Sequence, residues 1–415
     1  MSDITSNSAT RDLTGRTPLD DVPTSPSIRI GQLDSLRGVF ALLVVAYHTP
    51  VAHSFMNAQI VRNGSVGVNF FFVLSGFVIT LAYGRRLRHW QGAVDFVIAR
   101  VGRLWPLHLF VMFLTTSYLL MRLAMDHSGI YAFGDGRVPD VLAWEFVRQA
   151  LMLHAFANTT TNEINPVSWS IAVEFWCYVL FAVVALTRSG LAFAFAAILA
   201  LAFGYAVLTG LVDVPFGNAR AGLWRAIFYF TIGVIAYVAF ERARRRGVRV
   251  GSSIEAVVLI GFVLLVHFWR DLPRPELWGA FVFAPGMVLL ALGDGAVTRV
   301  LNNRFFRMLG DRSYSIYMNH MLVLLVVGIS TRLVERATDT ALTGMRPWPG
   351  GEIDALTYGS TLAANAAFVA ILALVVVVSG WTYRFIELPG QRAAKRWIGR
   401  RREGRSALAA SDRRA

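Results

Sequence analysis

The sequence predicts an all-α polytopic membrane protein, a bundle of about ten transmembrane helices, and three observations predict it. The 415-residue chain has a mean hydropathy of +0.51, with 55% hydrophobic and only 16% charged residues, outside the range of ordinary soluble domains. Its apolar runs recur at a length of about 20 residues, enough for a helix to cross a hydrocarbon layer of about 30 Å. The segments between the runs alternate between basic and acidic character, the asymmetry that separates cytoplasmic from external loops.

The spans are expected, in order, near 36–55, 66–83, 104–124, 168–187, 190–211, 224–241, 254–270, 278–293, 314–334 and 360–382. The first follows the "LDSLRG" run, and the second carries "GVNFFFVLSGFVIT". The third follows an amphipathic basic segment ending at Trp105-Pro106. The fourth opens after Asn165-Pro166 and forms a hairpin with the fifth, whose turn is only a few residues around Arg188. The sixth stops at a basic cluster from Arg242 to Arg249, and the eighth is interrupted by Pro285-Gly286.

Basic segments at Arg85, Arg86, Arg88, Arg100 and Arg103, at Arg242 to Arg249, at Arg299 to Arg312 and from Arg384 onward read as cytoplasmic. The segments 125–167, 212–223, 271–277 and 335–359 carry Asp126, Asp135, Asp140, Glu163, Asp213, Glu276, Asp339, Glu352 and Asp354 and read as external. Both termini are then cytoplasmic. Residues 1–32, rich in Ser, Thr, Asp and Pro, read as a disordered cytoplasmic tail, residues 33–390 as the membrane domain, and 391–415 as a basic cytoplasmic tail. The net charge of +14 is assigned to these inner edges and their anionic lipid partners rather than to nucleic acid. The single cysteine, Cys177, allows no intrachain disulfide. No P-loop, GxGxxG or HExxH spacing occurs, so neither a metal site nor nucleotide hydrolysis is expected.

Ionisable groups within spans are costly and mark a cavity or a partner. At 1.5 Å per residue, His48 lies about 16 Å beyond Arg37 along the first span. Glu174 lies about 10 Å inside the outer end of the fourth. The matched depths make His48 and Glu174 either a general base with the group that orients it or a hydrogen-bonded pair that locks two helices. Ser75-Gly76 in the second span reads as a close helix approach, or as a nucleophile. Ser313, Tyr317 and His320 recur at helical spacing and could line one polar stripe, and an interior histidine held by hydrogen bonds is the plainer alternative for His320. Arg100 and Arg103, three apart, match the dimensions of a phosphate, although arginines also belong at an inner membrane edge.

The ordered segments "LDSLRG" to "YH" (Arg37 to His48), "GVNFFFVLSGFVIT", "RVGRLWPLH", "NPVSWSIAVEFWCY", "RAIFYFTIGVIAY", "LGDRSYSIYMNH" and "YRFIELPGQR" resemble those of the integral-membrane acyltransferase family 3, bacterial O-acyltransferases of surface glycans. The chain looks like the stand-alone form, without the esterase-like domain of the long form. The resemblance implies transfer of an acyl group, most often acetyl, from cytoplasmic acyl-coenzyme A to a hydroxyl of a polysaccharide or lipid-linked glycan at a bacterial inner membrane. No permanently bound cofactor is expected.

By the same resemblance, His48 and Glu174 are catalytic. Arg37 opens the Arg-x10-His motif, and Arg100 and Arg103 hold the coenzyme A end. Asn69, Ser75, Trp169, Ser170, Ser313, Tyr317 and His320 are candidate lining residues. His48 would act either as a base whose basicity Glu174 raises or as a transient acyl carrier. Two departures stand out: Asn69 replaces the usual aspartate, and His108 replaces the usual tyrosine. A secondary transporter using the same His and Glu groups, or a non-catalytic scaffold, are the alternatives from other classes.

Overall fold

The computed structural model describes residues 29–84, 87, 89–127, 142–156, 164–211, 219–348 and 351–412. A helix stands at each predicted span: α1 (Gly31–His48), α2 (Gly67–Tyr83), α3 (Trp90–His127), then, after a short α4 (Leu142–Ala150), α5 (Ser168–Leu186), α6 (Gly190–Leu208), α7 (Ala219–Arg245), α8 (Ser252–His267) and α9 (Pro275–Ala291). The short α10 (Ala296–Leu301) and α11 (Arg304–Asp311) lead into α12 (Ser313–Thr338). An antiparallel hairpin, β1 (Thr343–Trp348) with β2 (Gly351–Leu356), precedes α13 (Thr361–Thr382) and α14 (Leu388–Asp412).

Among the described residues seven helices are long and apolar enough to cross a membrane. The remaining three predicted spans are α8 and α9, which are shorter apolar helices, and α1, whose first turns carry Gln32, Asp34 and Arg37. On α6, Leu191, Phe195, Ile198 and Leu199 are 82%, 62%, 64% and 52% exposed. A continuous apolar face of that size is stable against lipid, not water.

Local sequence sets several boundaries. Ser189, Ser360 and Asn303 accept hydrogen bonds from the backbone N–H groups of Ala192, Ala363 and Phe306, so α6, α13 and α11 begin at side-chain caps. Pro275 opens α9, where its missing N–H costs nothing. Glu255, buried inside α8, accepts from the N–H groups of Gly295, Val297 and Thr298 and from the Thr298 hydroxyl, capping α10 from a neighbouring helix.

Three expectations are corrected. The first span ends at His48 rather than residue 55; Pro50 follows within two residues, and a proline disfavours helix in the residue before it. The third span begins at Trp90, and Pro106 lies inside it, tolerated because α14 packs on that face with Gly390 against Pro106. The segment 335–359 is not all loop: α12 runs to Thr338, and Leu356 of the hairpin exchanges backbone hydrogen bonds with Pro50 and Ala52. Residues 391–412 continue α14 and dock on α3 through Asp95, which Arg402 meets at 2.9 Å and Arg401 and Arg405 at 3.9 Å. Most of the N-terminal tail, Arg85, Arg86, Arg88, Asp135, Asp140, Glu163 and Asp213 lie outside the described residues.

The centre is aromatic: Phe40 stacks on Phe70 at 4.0 Å, and Phe262 and Phe283 meet both edge-on. Helices α2 and α7 cross at two glycines. A Cβ on Gly76 would lie 2.0 Å from the Phe230 carbonyl oxygen, and one on Gly233 would lie 2.0 Å from that of Val73. Backbone-to-backbone contact of this kind is what small residues permit between membrane helices. It brings α2, with Ser75 beside Gly76, into close contact with α7.

Candidate active site

A cavity of about 370 Å³ is lined by side chains of α1, α2, α3, α5 and α12 and of the Tyr383–Glu387 turn, a wide π-type turn that joins α13 to α14. Four arginines (Arg29, Arg37, Arg100, Arg103) and four carboxylates (Asp34, Glu174, Asp311, Glu387) face it. Arg29 donates to Asp34 at 2.8 Å and also reaches Asp311; these two bonds hold its guanidinium above its ordinary pKa. Arg37 donates to the Ser313 hydroxyl at 2.8 Å and the Gly310 carbonyl at 3.1 Å, with Asp34 at 3.3 Å. Glu387 is fully buried and accepts from Ser315 at 2.7 Å and Gln391 at 3.0 Å.

The other two arginines are poorly matched. Arg100 has one long hydrogen bond, 3.3 Å to the Tyr83 hydroxyl, and its buried Nε has no partner. Its guanidinium is held by the rings of Tyr83, Phe96 and Tyr178 at 5.4 to 5.8 Å. Arg103 makes no side-chain hydrogen bond or ion pair among the described residues and meets Glu387, Asp34 and Glu174 only through space. A cavity with two guanidiniums in want of acceptors is a site for an anion with several oxygens.

Glu174 lies in this cavity, and the structure does not bring it to His48. Its carboxylate accepts from the hydroxyls of Ser75 and Tyr178, and the Tyr178 oxygen, one helical turn on, lies 3.4 Å from that of Ser75. One turn before Glu174, the Ser170 and Tyr317 hydroxyls bond at 2.7 Å, and Tyr317 also donates to the Val167 carbonyl at 3.2 Å. Ser75, Ser170, Ser313 and Tyr317 line this cavity. Asn69 and Trp169 do not: Asn69 is buried away from it, and the indole of Trp169 lies 5.2 Å from the Arg225 guanidinium carbon.

His48 also lies off the cavity wall. Its Nδ1 is 3.0 Å from the Val44 carbonyl oxygen and 3.2 Å from Nε2 of His320. His320 is fully buried, with its Nδ1 2.5 Å from the Tyr317 carbonyl oxygen. The Tyr317 ring is centred 5.7 Å from that of His320, which is 5.0 Å from that of His48. The cavity wall at Tyr317 and the partly exposed His48 are thus two rings apart, and His320 is the link between them.

Residues that sequence reasoning did not single out complete the set. Tyr178 was marked by its i, i+4 spacing from Glu174, and Glu387 sits in the quoted "YRFIELPGQR" segment. Asp34 and Asp311 carry no comparable signal. A second histidine pair lies apart: His108 and His154 stack at 6.1 Å, with His108 on the Gln149 carbonyl and His154 on the Ser168 hydroxyl. Burial, with His108 beside it, pushes the His154 imidazole down to about 4.

A family model described as an acyltransferase domain matches residues 30–384. The acyltransferase MdmB of Streptomyces mycarofaciens is 25% identical over 90% of this chain and 94% of its own length. A Bacillus subtilis protein, named provisionally as the peptidoglycan O-acetyltransferase YrhL, is 26% identical over 71% of this chain and 48% of its own length. Protein 2 of the picA locus of Rhizobium radiobacter is 36% identical over 36% of this chain and 79% of its own length. No solved structure matches.

Proposed function

The chain belongs to the acyltransferase family whose domain it matches over residues 30–384, and from that premise we propose that it moves an acyl group, acetyl in the simplest case, from acyl-coenzyme A to a hydroxyl of a surface or exported glycan. Family membership sets aside the transporter reading. The observation that carries the choice of donor is the pair of under-satisfied guanidiniums, Arg100 and Arg103, in one cavity, because the phosphates of coenzyme A supply the oxygens they lack. The peptidoglycan named for the Bacillus relative supports a glycan as the class of acceptor.

In this reading the Arg37 end of the bundle faces the cytoplasm of a bacterial inner membrane, with both termini on that side. The phosphates rest on Arg100 and Arg103, and the pantetheine arm runs along the cavity toward the Tyr317–Ser170 pair. That hydrogen bond opens to expose the thioester to His48. The acceptor hydroxyl gives its proton to His48 as its oxygen attacks the thioester carbonyl, the carbon–sulfur bond breaks, and the coenzyme A thiolate takes the proton from His48. Ser75, Glu174 and Tyr178 line the same cavity and shape the path of the arm.

The test is transfer from radiolabelled acetyl-coenzyme A into glycan by membranes that carry the protein. His48→Ala is expected to abolish the label in glycan, and an undiminished signal would refute the reading. Arg100→Ala with Arg103→Ala is expected to raise the donor KM by more than about 100-fold, from the loss of charge-assisted hydrogen bonds at both guanidiniums.

A further inference from the structure

We infer that His320, not Glu174, is the residue that positions His48, fixing the proton of His48 on Nδ1 and leaving Nε2 as the basic atom. The inference rests on the reading of His48 as the base and adds to it the identity of its partner.

Three contacts determine the protons. The Val44 carbonyl oxygen is only an acceptor, so His48 Nδ1, 3.0 Å away, carries a hydrogen and donates. His320 Nε2, 3.2 Å from that same Nδ1, must then be bare and accept. A neutral imidazole has one N–H, so the proton of His320 is on Nδ1, where the Tyr317 carbonyl oxygen accepts it at 2.5 Å. One assignment satisfies all three contacts, and both rings are neutral in it. A protonated His320 would set an N–H against the N–H of His48.

The same assignment separates the roles. Both nitrogens of His320 are engaged and the ring is fully buried, so it cannot take a proton from substrate. His48 is partly exposed at the last residue of α1, and its Nε2 has no hydrogen-bond partner among the described residues. When Nε2 takes a proton, Nδ1–H keeps its two acceptors, so the cationic ring forms without rearrangement. The second ring nitrogen of a working histidine is commonly held in this way by a carboxylate or a carbonyl; here a carbonyl and a second imidazole share the task. Glu174 is committed to Ser75 and Tyr178.

The experiment combines tautomer and rate. In detergent-solubilised protein labelled with 15N-histidine, the His48 resonances, assigned by their loss in His48→Ala, are expected to show a protonated Nδ1 and a bare Nε2. The opposite tautomer in the wild-type protein overturns the inference without any His320 variant. In acetyl-coenzyme A transfer, His320→Met, which removes one of the two acceptors of Nδ1–H, is expected to lower kcat by about 100-fold with the donor KM within about twofold, and to weaken the tautomer preference, which the Val44 carbonyl then holds alone. His320→Gln, whose amide oxygen can accept from Nδ1–H, is expected to restore kcat to within about fivefold of wild type, a smaller loss than removing a base's orienting partner. Wild-type kcat in His320→Met overturns the positioning role, whereas full activity in His48→Ala overturns the underlying reading of His48.

Discussion

Replacing Arg103 with glutamine should weaken the donor without weakening the fold, and the two halves of that statement come from the same observation. Arg103 has no hydrogen bond or ion pair among the described residues and is offset only through space by Glu387, Asp34 and Glu174. The side chain is only half-buried and faces the cavity, so its removal breaks no bond of the ligand-free protein and does not lower its stability. A guanidinium that meets a phosphate makes charge-assisted bonds worth about 1.5 to 3 kcal/mol each. Two such bonds, less what solvent returns, come to about 3 kcal/mol, or about 100-fold in Kd. Arg37→Gln is the contrasting variant: it loses bonds to Ser313, Gly310 and Asp34 and should destabilise the ligand-free protein by about 2 kcal/mol. Thermal unfolding in detergent, with and without coenzyme A, reads both quantities. Unchanged coenzyme A stabilisation in Arg103→Gln, or a fall in its ligand-free Tm as large as that of Arg37→Gln, would refute the reasoning.

Gly76→Ala should cost about 1 to 3 kcal/mol, because its Cβ would sit 2.0 Å from the Phe230 carbonyl oxygen, whereas Gly261→Ala, with nothing within 4 Å, should be neutral or better; unfolding midpoints of the two variants compare them directly. Asp95→Ala leaves Arg401, Arg402 and Arg405 without their shared acceptor, so limited trypsin digestion should cut within α14 sooner than in the wild type, and equal rates would count against docking through Asp95. The folded protein holds His154 at about 4 against about 6.5 in the unfolded chain. Between these values only the unfolded state takes up the proton, so stability falls as pH drops through that window. His154→Gln should flatten the slope of Tm against pH between 6.5 and 4.5.

The bundle was legible because each span carries its own signal. Hydropathy and basic flanks locate α2, α5, α6, α7 and α13 to within a few residues, since both act along the chain. Errors fell where a neighbouring element decides the end. Pro106 would stop an isolated helix, but Gly390 and Ala394 of α14 pack on Gly102 and Pro106 and keep α3 continuous from Trp90. The π-type turn at Tyr383–Glu387 is equally a tertiary feature: it aims Glu387 at Ser315, and nothing in the local run requires it.

The site shows the same limit in sharper form. Helical rise converts residue number into depth, and depth brought His48 and Glu174 to one level. Depth is one of three coordinates, and two residues at one level can face different helices. The azimuth of Glu174 follows from Tyr178 one turn along its own helix and from Ser75, which the Gly76–Gly233 crossing admits near the centre. The azimuth of His48 is set by Val44 one turn back and by α12 beside it, where Ser313 meets Arg37 and His320 meets His48. The seven residues from Ser313 to His320 rise about 10 Å, against about 16 Å for the eleven from Arg37 to His48, and the long Arg37 side chain still reaches Ser313. The helix that satisfies the arginine of the Arg-x10-His motif also satisfies its histidine. Both ends of that motif read one partner helix, so a register shift between α1 and α12 would disturb Arg37 and His48 together.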